Sequence, residues 1–136
     1  MAKYNELRII VTGSRDFRDY DLLCDTIMNF LDDKDDAGIV DNPSQVKFIS
    51  GTDRRADVLG EQFAYTYEYD VVRFSADWDR LGRRAGYIRN AEMVKYASKD
   101  GNYGVLFAFW DGKSKVTKHM IDLANKYELE VHVVNF

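Results

Sequence analysis

Five short apolar runs punctuate this chain, Leu7–Val11, Val46–Ser50, Val71–Phe74, Tyr103–Trp110 and Val131–Val134. Each is too brief for a helix and rich in β-branched or aromatic residues, so each reads as a strand. The intervals between them carry apolar residues at helical spacing: Leu23, Ile27, Phe30 and Leu31; then Ala56, Leu59, Gly60, Phe63 and Tyr67; then Tyr87, Ala91 and Val94; then Met120, Ile121, Ala124 and Tyr127. Parallel strands need a long crossover between them, usually helical, and that crossover is right-handed. Strand and helix in strict alternation therefore predict a doubly wound α/β fold, with one parallel sheet of about five strands and helices on both faces. The fourth run is apolar almost throughout, as expected of a central strand covered on both sides.

Two stretches stand outside this rhythm. Residues 32–44 hold five aspartates, a glycine and the only proline, without a hydrophobic period, and read as a solvated loop. Residues 75–84 are too polar for a strand and read as a long loop on the carboxyl side of the sheet. The first helix is expected over about Tyr20–Leu31 with Asp19 or Asp21 as its cap, and Asp53 stands where the second helix needs one.

The turns that end the strands carry the chemistry. The first strand stops at Thr12-Gly13-Ser14-Arg15, and the fourth runs into Asp111-Gly112-Lys113-Ser114 ahead of a helix that contains Thr117. Small residues, hydroxyls and a cation just before a helix aim unpaired N–H groups and the positive end of the helix dipole at one point, where a phosphate binds well. A Rossmann-like strand order of 3-2-1-4-5 makes strands one and four neighbours with the topological switch point between them. Under that order the two turns form one site.

Composition narrows the classes. The chain of 136 residues is 46% hydrophobic, enough for one domain, 1–136, with a core of its own. Nineteen basic against 23 acidic side chains leave a net charge of −4, which argues against duplex nucleic acid bound by bulk charge, so an anion must be held locally. A single cysteine, Cys24, allows neither an intrachain disulfide nor a thiolate metal cluster, and no cofactor or metal is expected. No apolar segment approaches the roughly 18 residues of a membrane span, and the first residues lack a signal-like apolar region. A cytoplasmic protein without a membrane partner is the expectation.

Candidate ligand contacts follow from position and chemistry. Gly112, Lys113, Ser114 and Thr117 offer amides, an ammonium and hydroxyls to a phosphate. Gly13 and Ser14 permit close backbone approach, and Arg15 can fork onto a phosphate. Gly51, Thr52 and Asp53 end the second strand, where ribose hydroxyls are read in such folds. Arg89 falls outside the Tyr87, Ala91 and Val94 stripe and so faces the crevice, with Asn90 as a hydrogen-bonding neighbour. Trp78 and Trp110 end strands three and four, where an indole can stack on a base, Trp110 being the better placed. His119 and His132 lack partners at ligand spacing and read as structural.

Gly13-Ser14-Arg15, Gly51-Thr52-Asp53-Arg54-Arg55-Ala56-Asp57, Gly86-Tyr87-Ile88-Arg89-Asn90-Ala91-Glu92-Met93 and Phe109-Trp110-Asp111-Gly112-Lys113-Ser114, in this order, resemble the YspA-type, cpYpsA-related branch of the SLOG superfamily. That superfamily includes the Lonely Guy cytokinin-activating enzymes and the DprA DNA-processing proteins. The resemblance covers nearly the whole chain. It implies a Rossmann-like domain that binds or senses a nucleotide or nucleotide-derived phosphorylated ligand, and self-association as a homodimer. Two further functions come with it: N-glycosidase action on a nucleoside monophosphate, as in Lonely Guy enzymes, and single-stranded DNA binding, as in DprA. Met120 stands where Lonely Guy enzymes carry a catalytic glutamate, which weighs against an enzyme. Arg89 resembles their helix arginine without its carboxylate partner, and Val116 replaces a glycine common before the threonine of the phosphate loop.

Overall fold

A computed structural model describes residues 3–52 and 55–136, with Arg55 described by its backbone alone. Its elements run β1 (Leu7–Gly13), α1 (Tyr20–Asp36), a 3-10 turn (Pro43–Gln45), β2 (Val46–Ser50), α2 (Arg55–Thr66), β3 (Asp70–Arg73), α3 (Trp78–Leu81), α4 (Arg84–Ala97), β4 (Tyr103–Trp110), α5 (Lys115–Lys126) and β5 (Glu130–Asn135). The five strands form one sheet in the order β3-β2-β1-β4-β5, and every pairing is parallel. The fold is the Rossmann-like α/β arrangement expected from the strand–helix alternation.

Side-chain alternation along the strands divides the core in two. Leu7, Ile9 and Val11 of β1 and Val105, Phe107 and Phe109 of β4 face α1 and α2, where Leu23, Ile27, Phe30, Ala56 and Phe63 meet them. Ile10, Leu106 and Ala108 face the other way, onto Met93, Val94 and Ala97 of α4 and Met120, Ile121 and Ala124 of α5. β4 is apolar throughout because both of its faces are covered. Met120 belongs to this second layer and is buried.

The structure revises three local expectations. α1 runs on to Asp36, through the aspartates that read as loop, because Lys34 finds partners across the fold. Its ammonium lies 2.8 Å from Glu130 Oε1 and donates to the Tyr103 hydroxyl at 3.2 Å. Within the polar stretch 75–84, Asp77 caps the short α3 by accepting a hydrogen bond from Arg80 N at 3.2 Å. On α4 the buried stripe is Gly86, Arg89, Asn90, Met93, Val94 and Ala97, whereas Tyr87 is exposed. Arg89 therefore lies inside the buried stripe, not outside it. The cap expected of Asp53 lies outside the described residues.

Helix-to-strand packing on the α2 side depends on Gly60. A Cβ added there would come within 2.8 Å of the Val11 Cβ, an atom fixed to the backbone of β1. Gly60→Ala is expected to destabilise the protein by about 1–3 kcal/mol through overpacking, outweighing the gain of about 1 kcal/mol in helix propensity. A lowered urea midpoint at unchanged slope would show it.

The Lys34 cluster produces a pH signature. Burial raises the Glu130 carboxyl, but bonds from Lys34, Tyr103 and His132 outweigh burial and bring its pKa from an ordinary 4.5 down to about 2. For Lys34, burial lowers the pKa, and the bonds to Glu130 and Tyr103 more than offset it, so the ammonium is held above its ordinary value. A carboxylate with a depressed folded pKa contributes stability that is whole above about 4.5 and lost as pH falls toward 2. Glu130→Gln should flatten the acid limb of stability against pH over that window in denaturant titrations, and an acid limb identical to that of the parent would refute the assignment.

Candidate functional site

β1 and β4 lie in register to their ends, with Gly13 opposite Phe109. Ser14 N extends the ladder by one bond, donating to the Phe109 carbonyl at 2.9 Å. Gly13 is needed for this approach, because a Cβ there would sit 2.6 Å from the Phe109 carbonyl oxygen and 2.9 Å from the Ala56 Cβ. The groups that crowd Gly13 are thus the protein's own.

Just past the strand ends, Asp111 N donates to Ser14 Oγ at 3.0 Å, and Ser14 is 1% exposed. This bond joins residues 97 positions apart and makes the two turns one structure. Asp111 Oδ1 accepts from Lys113 N at 2.8 Å and from Ser114 N at 2.9 Å. Those two amides, with help from the Ser14 hydroxyl, hold the Asp111 carboxyl below the usual range. Gly112 makes the bend with φ +80°, in the left-handed region that favours glycine.

Ser114 caps α5, its Oγ accepting from Thr117 N at 3.4 Å and from Thr117 Oγ1 at 3.1 Å. Trp110 Nε1 donates to the Ser114 carbonyl at 3.1 Å, so its indole braces the turn while packing against the α4/α5 core. Helix α5 begins at Lys115, which places Val116 within its first turn, so the missing glycine demands no strained backbone there. The N–H groups of Lys115 and Val116, in that first turn, lie beyond the reach of the helix's own carbonyls.

A second cluster abuts this one through α4. Asn90 Nδ2 donates to the Val116 carbonyl at 3.4 Å. Arg89 donates from Nη2 to Asn90 Oδ1 at 3.2 Å and from Nη1 to the Gly51 carbonyl at 3.2 Å. A Cβ on Gly51 would lie 3.0 Å from Asp57 Oδ2 and 3.1 Å from Arg89 Nε, so a carboxylate and a guanidinium converge on that bare α carbon. Both side chains are buried, Asp57 at 3% and Arg89 at 4% exposure.

A carboxylate from another helix, Asp57 of α2, thus stands on the same glycine as Arg89. Asp57 was missed as a site residue, although it stands three and seven residues before Gly60 and Ala64, on the stripe of α2 that is buried. Next to this cluster Thr52 adopts φ +69°, costly for a β-branched residue, with its N–H donating to Ser50 Oγ at 3.1 Å. Asp53 lies outside the described residues.

The strand ends therefore gather Gly13, Ser14, Trp110, Asp111, Gly112, Lys113, Ser114 and Thr117 into one hydrogen-bonded unit, to which Asn90, Arg89 and Gly51 attach through Val116. Arg15 and Lys113 are exposed beside it, whereas Thr117, Arg89 and Asn90 are buried and bonded within the protein. Among the described residues, no group of three or more His, Cys, Asp or Glu is arranged to hold a metal ion, and no helix is long and apolar enough to cross a membrane.

Ser14→Ala should cost about 1–3 kcal/mol, because it strands the Asp111 N–H in a half-buried turn. It should also accelerate hydrogen exchange at the Asp111 amide, and an unaltered exchange rate would show that the two turns are held together by something else.

Gene 61 protein of Mycobacterium phage D29 is 29% identical over 134 residues, covering 95% of this chain and 95% of the phage protein. No solved structure matches the sequence. The profile of the YspA, cpYpsA-related SLOG family matches residues 7–81, the span from β1 to α3 that includes the Gly13 and Gly51 turns. With more than half of its length matched, the chain belongs to the YspA, cpYpsA-related SLOG family.

Proposed function

We propose that this protein binds or senses a nucleotide or nucleotide-derived phosphorylated ligand at the carboxyl edge of its sheet, between the ends of β1 and β4. The observation that carries this reading is the Asp111 N to Ser14 Oγ bond, which brings the two glycine-bearing turns to one point at the switch of strand order. Open α/β sheets bind ligands at that point. Membership of the SLOG family supports the ligand class.

The roles divide by exposure. Arg15 and Lys113 project from the turns and supply positive charge to a phosphate, and the first-turn amides of α5 supply directed donors. The amides of Lys113 and Ser114 are engaged by Asp111, so the phosphate sits beside that carboxylate, against the helix start, and does not take its place. Ser14, Ser114, Thr117, Trp110, Arg89 and Asn90 hold the frame. The ribose lies toward Gly51 and Thr52. Met120 is packed in the core at the position that would carry a Lonely Guy glutamate, so recognition is the function assigned.

Calorimetry with AMP tests the reading. Arg15→Ala combined with Lys113→Ala removes two charge-assisted contacts, each about 1.5–3 kcal/mol, and should weaken binding at least tenfold. The melting temperature of the unliganded protein should not change, since both side chains are exposed. Equal affinity in parent and double variant would refute the site. In the parent, ligand at about 100 times its dissociation constant should stabilise the fold by about 2.7 kcal/mol.

A further inference from the structure

We propose that Trp78 is the stacking platform for the base of this ligand, which assigns the site to nucleotides carrying an aromatic base and not to sugar phosphates alone. The inference rests on the binding reading above and adds to it the part of the ligand that is read.

The two tryptophans differ sharply in what they are free to do. Trp110, the better placed of the two in the sequence, is engaged through its ring N–H and packed against the core. Trp78 opens α3 and is 47% exposed, a large apolar ring left half in water. Single exposed apolar residues are common and need no explanation by themselves. This one is singled out by how it is held and by what lies next to it.

The benzo edge of the indole rests on Gly86, where a Cβ would meet Trp78 Cη2 at 3.1 Å and Cζ3 at 3.8 Å. Arg89 Nη2 lies 4.0 Å from the same point, so indole and buried guanidinium flank one bare α carbon at the start of α4. From there Arg89 reaches the Gly51 carbonyl, and Asn90 reaches Val116 in the first turn of α5. The indole is therefore linked, through one chain of contacts, to the Gly51 turn after β2 and to the start of α5 behind the Asp111–Ser114 turn.

The short helix that carries Trp78 is itself braced. Asp77 accepts from Arg80 N and pairs with Arg80 Nε at 3.0 Å, while Gly82 N donates to the Trp78 carbonyl at 2.9 Å. A ring held in place loses little freedom when a base is laid on its open part, which favours stacking. Arg83 and Arg84, both exposed on the following turn, add positive charge alongside. Tyr87 is less available, because its ring already meets His119 edge-on at 4.7 Å.

Calorimetry with AMP and ribose 5-phosphate on the parent, Trp78→Ala and Trp78→Phe separates base from sugar phosphate. In the parent, AMP should bind on the order of ten- to a hundredfold more tightly than ribose 5-phosphate. Trp78→Ala should bring that ratio close to one without changing ribose 5-phosphate affinity, and Trp78→Phe should keep most of it. AMP should quench the emission of the exposed indole in the parent while ribose 5-phosphate does not, a readout independent of how well any variant folds. Ribose 5-phosphate binding as tightly as AMP in the parent, or a ratio that survives Trp78→Ala, overturns the stacking role and leaves the phosphate site standing. Failure of both probes to bind the parent overturns the site and the stacking role together.

Discussion

A single crossover carries the chain from the β3 edge back past β1 to lay β4 on its far side, and the layout of the strand ends follows from it. It puts β1 and β4 in the middle of the sheet and forces their carboxyl ends together, with α1 and α2 on one face and α4 and α5 on the other. At Gly13 the approach of β1 to β4 is tight, since neither the Phe109 carbonyl nor Ala56 leaves room for a Cβ. Close approach lets Ser14 reach Asp111, and that bond turns two strand ends into one rim.

The anion recognition proposed for this acidic protein has to rest on local geometry, because its overall field is repulsive. The rim is built in two layers. Asp111 satisfies the amides of its own bend and so rigidifies it, while exposed Arg15 and Lys113 stand on either side of the junction. Behind them, Arg89 and Asp57 place opposite charges within a buried space around Gly51, and Asn90 ties that space to the start of α5.

Much of the architecture was legible because periodicity is a local property. Strands one to five appear as apolar runs within a residue or two of their observed ends, and their alternation with helices gives the parallel sheet, while the order 3-2-1-4-5 comes from the Rossmann-like analogy and is not written in the chain. The misreadings share a physical origin. α1 continues through Asp32–Asp36 because Lys34 is anchored by Glu130, almost a hundred residues away, which no window of local sequence contains. The stripe of α4 was assigned to Tyr87 because an aromatic outranks an arginine on any hydrophobicity scale, yet Arg89 is the buried one, bonded to Gly51 and Asn90. Trp110 and Trp78 both read as ending strands, and strand-end position says nothing about which indole its neighbours engage: Trp110 Nε1 donates to the Ser114 carbonyl, whereas Trp78 stays 47% exposed.

Strand length, helical spacing and small-residue bends are written residue by residue, so the class of fold and the two glycine-bearing turns were legible in the amino-acid sequence, whereas the switch point needs a strand order that alternation leaves open. Which groups meet is a matter of tertiary structure: the Ser14 hydroxyl with the Asp111 amide, Asp57 and Arg89 each against Gly51, and the Trp78 ring against Gly86. Local pattern says which side of an element is apolar, but the partner of a polar group is chosen by elements that arrive from far along the chain. At Gly13 that choice depends on how closely two backbones can approach, and at Gly51 and Gly86 on the room a missing Cβ leaves for a side chain from another element.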